Sequence, residues 1–295
     1  MNPAPTSTSS ELKRAFAHTE GLARHYENFT VVSFMLPKRL KPHFYNVYAF
    51  CRHADDLADE IADTEQSLAR LAALKAGVRA MYEPTLPQTG DESESLILVA
   101  LQETVRQFDI PPDPFLKLID AFEQDRRVLR YETFEQVHDY CRRSADPVGH
   151  LVLYLCGYSD AQRQALSDYT CTALQLANFW QDVANDVDRG RIYIPMEDAR
   201  RFGVSEADIL QKRFTPAFAE LLRFEVDRAE DWLSKGEALL PLVEKRVRTD
   251  IALYGRGGRA ILQSIRRIGY DTLGHRPSVG KWCKIRLMVG YLLGL

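Results

Sequence analysis

The sequence predicts an all-α protein, and three observations support this fold class. Apolar residues recur at steps of three and four along most of the chain, as at Phe50, Ala54 and Leu57, which is the spacing of one face of a helix. No segment shows the strict alternation of apolar and polar residues that a half-buried β-strand would have. Proline and glycine gather in short clusters, such as residues 83–91 and 109–114, where one helix ends before the next begins.

This pattern divides the chain into predicted helices joined by short connectors. We place the helices near residues 11–25, 37–64, 65–82, 93–108, 113–128, 133–157, 161–188, 205–212, 215–238, 240–254 and 257–272. The break before the last helix follows from the glycines at Gly255, Gly257 and Gly258. Because the connectors have ordinary loop lengths, we expect one helical domain over residues 11–295, behind a disordered polar leader over residues 1–10.

The composition of the chain argues against several classes of protein. The 38 basic and 41 acidic residues give a net charge of −3, which creates no field that would gather nucleic acid. The 5 cysteines are odd in number and form no CxxC pair, so a reducing compartment is favoured over a disulfide framework or a zinc site. We find no secretory signal and no run approaching the roughly 20 apolar residues of a membrane span. We therefore expect a cytoplasmic protein.

A first acidic cluster lies within the predicted helix over residues 37–64. Asp55 and Asp59 are four residues apart, as are Asp56 and Glu60, so each pair of carboxylates shares a helix face. Like charges at this spacing weaken a helix unless a cation lies between them. Arg52, one turn earlier, could hold part of that charge or a phosphate. A solvated acidic face is the alternative interpretation.

A second polar stripe follows the predicted helix over residues 161–188. Gln175, Asn178, Asp182 and Asp186 recur at steps of three, four and four, and the other faces of this helix are apolar. Carboxylates on a largely buried helix must be paired, protonated or bound to a metal. Arg189 follows directly and could donate to an anion.

Oxygen ligands without cysteine or histidine indicate a hard divalent ion. Mg²⁺ takes one or two carboxylates and completes its shell with water and phosphate oxygens. Two acidic helices therefore predict a clamp for Mg²⁺ and a diphosphate. A di-iron bundle would need Glu-x-x-His on its inner faces, which neither cluster contains. His53 lies at the wrong angle for both acids, so we expect it to be a structural or a surface residue.

Three motifs resemble the squalene/phytoene synthase family. They are residues 48–59 (YAFCRHADDLAD), residues 140–143 (YCRR) with 147–149 (PVG), and residues 181–195 (QDVANDVDRGRIYIP). The similarity covers about residues 20–290. It implies a single-domain class I isoprenoid synthase, an all-α helical bundle around a central cavity with two facing aspartate-rich helices.

The resemblance also implies roles for individual residues. Metal binding carries over to Asp55, Asp56, Asp59, Asp182 and Asp186. Diphosphate binding carries over to His25, Asn28, Arg52 and Arg189, and cavity positions to Phe29, Tyr48, Tyr131, Gln175 and Asn178. We expect the aromatic faces to stabilise a carbocation, and Tyr131, Asn178 or Gln175 to orient a water.

Within the family, residues 25–31, residues 144–149 (SADPVG) and Arg276-Pro277 with Lys281 resemble most the hydroxysqualene synthases that accompany hopanoid pathways. These enzymes ionise presqualene diphosphate and let water capture the rearranged cation.

Relatives that condense two prenyl diphosphates to presqualene diphosphate or phytoene usually carry Arg-Asp where this chain has Gln181-Asp182. Gln181 therefore favours the later step, although Arg200 or Arg201 could replace the missing charge. A non-catalytic assembly factor is the remote alternative.

The resemblance further predicts cofactors and partners. We expect two or three Mg²⁺ ions, no nicotinamide, and presqualene diphosphate and water as substrates. An upstream synthase could hand over the substrate. The basic and apolar residues 281–295 could touch the inner face of a membrane as an interfacial helix, although we favour a last helix docked on the core.

Overall fold

The computed structural model describes residues 9–25, 37–83 and 89–278. Regular secondary structure in these ranges is helical, with one isolated parallel bridge between Arg130 and Ile192, so the predicted all-α class is confirmed. The chain divides into two compact units, residues 1–127 with 150–159, and residues 128–149 with 160–295. None of the described helices combines the length and the apolar character that crossing a bilayer requires.

The first unit is built mainly from five helices. They are α1 (Ser9–His25), α2 (Lys41–Asp59), α3 (Thr64–Ala80), α4 (Glu92–Phe108) and α5 (Asp113–Asp125). Helix α2 contacts the other four. Helix α1 begins two residues before its predicted start at residue 11, so the last two residues of the expected leader are helical.

Helix α2 buries the apolar stripe that the sequence predicts. Phe50 is fully buried and meets Phe115 edge to face, with ring centroids 5.2 Å apart. Asn46, also fully buried, donates to the Ala100 carbonyl at 3.1 Å and to Thr104 Oγ1 at 2.9 Å. These contacts fix the rotation of α2, and thereby which residues of its last turns face away from the core.

The second unit is arranged around one long helix. Its helices are α6 (Phe134–Ser144), the start of α7 (Asp146–Leu155), α8 (Ala161–Asp188), α9 (Met196–Arg201), α10 (Glu206–Leu210), α11 (Pro216–Gly236), a 3-10 helix (Glu237–Leu242) and α12 (Lys245–Arg267). Helix α8 packs against α6, α11, the 3-10 helix and α12. The side chain of Trp180 on α8 is fully buried.

Prediction and structure differ at three elements. The predicted helix over residues 133–157 is interrupted at Ala145, because Pro147 cannot donate a backbone hydrogen bond and disfavours helical geometry before it. The break expected near Gly255 is wrong, since α12 runs unbroken through all three glycines. One of them, Gly258, packs so closely that an added Cβ would lie 2.7 Å from Leu174 Cδ2. Helix α9 was not anticipated.

Gly236 at the end of α11 and Gly255 within α12 provide a matched test of close packing at glycines. A Cβ at Gly236 would lie 3.0 Å from the backbone nitrogen of Thr170, whereas one at Gly255 would meet nothing within 4 Å. We expect Gly236→Ala to lower the free energy of unfolding by about 1–3 kcal/mol. Gly255→Ala should raise it by about 0.5–1 kcal/mol, because alanine favours a helix interior over glycine. Urea unfolding followed by circular dichroism measures both, and equal effects would contradict the proposed packing.

Candidate active site

The first acidic cluster, Asp55, Asp56 and Asp59, lies in the last turns of α2. Arg52 bridges two of its members, with Nη1 at 3.0 Å from Asp55 Oδ2 and Nη2 at 2.5 Å from Asp56 Oδ1. Asp55 and Asp56 keep 38% and 25% of their side-chain surface exposed, and Asp59 is exposed. The carboxylates can therefore accept further ligands from solvent.

The position of these acids at a helix end is electrostatically unfavourable. The last turn of α2 holds no basic residue, and the carboxyl end of a helix carries partial negative charge. Arg126 offsets part of this charge by donating to the carbonyls of Ala58 at 3.0 Å and Ala62 at 3.1 Å. The geometry therefore favours a cation near the carboxylates.

His53 contacts a buried carboxylate of α4. Its Nε2 lies 3.0 Å from Glu94 Oε2, and Arg70 Nη2 donates to the same oxygen at 3.2 Å. Burial alone would raise the pKa of Glu94, but the hydrogen bonds and charges of His53 and Arg70 outweigh it and hold that pKa below its ordinary value. The imidazole thus helps to stabilise the ionised carboxylate of Glu94 on α4.

The second acidic cluster, Asp182 and Asp186, occupies the last two turns of α8. Asp182 Oδ1 accepts from Asn185 Nδ2 at 3.1 Å and from Arg276 Nε, and Asp182 Oδ2 accepts from Arg276 Nη2 at 3.0 Å. Its side chain is only 14% exposed, against 53% for Arg276. Arg276 thus engages both oxygens of one carboxylate.

A glycine turn ends α8 directly after this cluster. Gly190 has a φ of +77°, and the amide of Arg191 donates to the Asp186 carbonyl at 2.8 Å while the amide of Gly190 donates to Val187 at 2.9 Å. This is the Schellman arrangement, in which glycine adopts the left-handed conformation at lowest cost. Both acidic clusters therefore lie where a helix dipole is negative, and neither helix has a basic residue in its last turn.

The segment after this turn pairs with residues 129–132. The amide of Ile192 donates to the Leu129 carbonyl and that of Met196 to the Tyr131 carbonyl, both at 3.0 Å. The Tyr193 ring stacks on Phe179 with centroids 3.9 Å apart and on Tyr131 at 5.6 Å. Tyr131 is only 2% exposed. The structure therefore places this predicted cavity residue in a packed aromatic group behind the second cluster.

The remaining predicted residues differ in exposure. Tyr48 on α2 and Gln175 on α8 are half-buried, whereas Asn178 and Arg189 are exposed. Asn28, Phe29 and the side chain of His25 lie outside the described residues, as does the segment over residues 281–295.

Arg276 is the residue that sequence reasoning missed as a partner of Asp182. The sequence marks Arg276 only by its basic charge and its motif, and 94 positions separate it from Asp182. Arg200 and Arg201 are the residues that the sequence offers as replacements for the charge missing at Gln181. Arg200 instead pairs with Glu132, and the Arg201 guanidinium lies 4.9 Å from the Phe224 ring centroid.

The donor chemistry of both clusters fits a hard divalent ion. Each cluster offers carboxylate oxygens, although in the described residues no three histidine, cysteine or acidic side chains form a metal cage by themselves. Mg²⁺ typically binds through one or two carboxylates and leaves its other positions to water and phosphate oxygens. The residues therefore suit an ion whose shell is completed by a phosphorylated substrate.

A buried hydrogen-bonded network anchors the segment that follows the second cluster. Arg228 on α11 donates to Asp198 Oδ2 on α9 at 2.9 Å and to both oxygens of Glu225, at 3.1 and 2.9 Å. Glu225 is fully buried. Its burial raises its pKa to about 8, and nearby Asp198 adds to this shift while Arg228 opposes it.

Comparisons with known proteins identify the family of this chain. The sequence profile of the squalene/phytoene synthase family matches residues 22–283. The squalene synthase HpnC from Alicyclobacillus acidocaldarius superposes with a TM-score of 0.83 at 44% identity, over 90% of this chain and 97% of that one. The 15-cis-phytoene synthase of Synechococcus elongatus is 27% identical over 97% of this chain and 95% of its own length. The presqualene diphosphate synthase of Rhodopseudomonas palustris is 27% identical over 88% and 90%.

These comparisons define an isoprenoid synthase fold. The chain belongs to the squalene/phytoene synthase family. Members of this family are isoprenoid synthases that bind prenyl diphosphates and generally depend on divalent metal ions.

The buried network predicts a pH dependence of stability. Because the pKa of Glu225 is raised from 4.5 to about 8 on folding, the folded protein holds a proton that the unfolded chain releases between these values. Stability should therefore fall as pH rises through this window, by at most about 1.4 kcal/mol per pH unit. In Glu225→Gln, which stays neutral, this decline should be absent. Urea unfolding across the window measures the difference, and parallel curves for both proteins would contradict the shift.

Proposed function

We propose that this chain is a hydroxysqualene synthase. It ionises presqualene diphosphate in a Mg²⁺-dependent reaction and lets water capture the rearranged carbocation, giving hydroxysqualene and diphosphate. The observation that carries the proposal is that α2 and α8 both end in carboxylate residues. An arginine pairs with one acid of each cluster, and members of this family bind prenyl diphosphates.

The leaving group requires positive charge where negative charge develops. Asp55, Asp56, Asp59, Asp182 and Asp186 would hold the metal, which supplies electrostatic stabilisation of the departing diphosphate. Arg52 already contacts two of these carboxylates, so its guanidinium lies where a bound diphosphate can accept from it. Exposed Arg189 and the predicted residues His25 and Asn28 would add donors.

The leaving group needs positive charge nearby, whereas the carbocation needs surroundings that stabilise its own positive charge. Aromatic faces stabilise a cation through their quadrupoles and exclude stray water. We assign this task to Phe29, Tyr48 and the Tyr131 group. Gln175 and Asn178 lie on the same face of α8 as Asp182, and either amide, or the Tyr131 hydroxyl, would orient the capturing water.

One observation favours water capture over condensation. Position 181 carries an uncharged glutamine that is buried and donates to the Pro277 carbonyl at 2.6 Å, so it adds no positive charge for a second diphosphate. The alternative is a synthase that joins two prenyl diphosphates, as the names of the phytoene and presqualene diphosphate synthases at 27% identity describe.

Product analysis distinguishes these functions. Purified protein would be incubated with Mg²⁺ and either presqualene diphosphate or farnesyl diphosphate, without nicotinamide, and the products identified by mass spectrometry. We expect an alcohol from presqualene diphosphate. Consumption of farnesyl diphosphate alone would support the condensing alternative, and turnover of neither would favour a non-catalytic family member.

Substitution of single acids tests the role of both clusters. Asp55→Asn and Asp182→Asn should each lower kcat by about 100-fold or more, because each removes a metal-binding charge while preserving shape. Asp188→Asn is the matched control, since Asp188 lies on α8 but pairs with Lys212 at 2.6 Å and is 66% exposed. All three should unfold within a few degrees of the wild type. Full activity in either cluster variant would contradict the metal assignment.

A further inference from the structure

Two consecutive residues of α8 hold two consecutive residues near the end of the described chain. Gln181 donates from Nε2 to the Pro277 carbonyl at 2.6 Å. The next residue, Asp182, accepts from Nε and Nη2 of Arg276. We call residues 275–278 the clamp segment.

The two contacts differ in burial. Gln181 is 8% exposed, so its hydrogen bond is shielded from water, and removing the donor would leave a buried carbonyl without its partner. The Arg276 side chain is 53% exposed, so its contact with Asp182 can be exchanged for another at modest cost. The buried contact is therefore suited to hold the segment in place while the exposed one changes partners.

Arg276 and a divalent ion would compete for the same oxygens. The guanidinium engages Oδ1 and Oδ2 of Asp182, which are the atoms that a metal would need. Its charge also acts on Asp186, one turn further along α8. Arg276 thus offsets part of the negative charge of the second cluster, and a metal that used the same lone pairs of Asp182 would have to displace it.

We propose that Gln181 is a positioning residue that keeps Arg276 on Asp182, so that the clamp segment sets the metal affinity of the second cluster. Arg276 pairs with Asp182 in this structure, and a divalent ion that bound the same oxygens would displace its guanidinium. Through its bond to Pro277, Gln181 keeps the displaced guanidinium close to the cluster. The inference rests on the proposed function in one respect, the assignment of Asp182 as a metal ligand.

Mn²⁺ binding without substrate tests this competition. Titration of the full chain with Mn²⁺, followed by the electron paramagnetic resonance signal of the free ion, gives an apparent Kd. Arg276→Gln should lower this Kd by about threefold to tenfold, because the ion no longer displaces a paired charge. Arg200→Gln is the matched control, since Arg200 also pairs with one carboxylate of the second unit, Glu132, and its Kd should equal that of the wild type.

The positioning role of Gln181 has its own signature. Gln181→Leu should lower the Kd in the same direction, and the double variant with Arg276→Gln should bind Mn²⁺ no more tightly than Arg276→Gln alone, because Gln181 acts through Arg276. Hydrogen exchange over residues 271–278 should become faster in Gln181→Leu. Additive effects on the Kd would overturn the positioning role.

Two outcomes separate this inference from the proposed function. An unchanged or raised Kd in Arg276→Gln, or no Mn²⁺ binding in either protein, would overturn the competition and leave the catalytic proposal to its own assays. If adding Asp182→Asn to Arg276→Gln leaves the tighter binding intact, Asp182 is not a ligand and the metal assignment itself fails. Loss of the tighter binding in that double variant supports both.

Discussion

Carboxylates at the negative end of a helix dipole are the constraint on which this site depends. Asp55 and Asp56 near the end of α2, and Asp182 and Asp186 near the end of α8, add charge where a helix already has an excess of negative charge. Such an arrangement persists only with cations close by. Arg52 and Arg276 provide them in this structure, and a divalent ion with a bound diphosphate would satisfy the same requirement.

The fold keeps each cluster at the surface of a well-packed unit. The buried Asn46 fixes the rotation of α2 through its bonds to α4. Trp180, fully buried next to Gln181 and Asp182, does the same for α8. Both helices therefore carry their carboxylates on a closely packed core.

Aromatic and polar side chains of the second unit form two separate groups. The stacked rings of Tyr131, Phe179 and Tyr193 form a buried aromatic group. The network of Arg228, Glu225 and Asp198 attaches α9 to α11. It thereby holds the segment that carries Tyr193 against residues 129–132.

Sequence alone determined the helical class, both acidic clusters and the family resemblance. These features follow from local spacing, since steps of three and four residues put side chains on one face whatever surrounds the helix. The domain boundaries and the roles of His25, Asn28 and Phe29 remain predictions.

Only the tertiary structure decided which charges meet. Asp182 and Arg276 are 94 positions apart, and no periodic pattern relates residues at such a distance. The local sequence pattern predicts a break at the glycines of α12, where the helix is continuous, for the same reason. Glycine on its own weakens a helix, but Gly258 is required by the side chains of Leu174 and Leu233 that pack against it, and those neighbours are visible only in the folded chain.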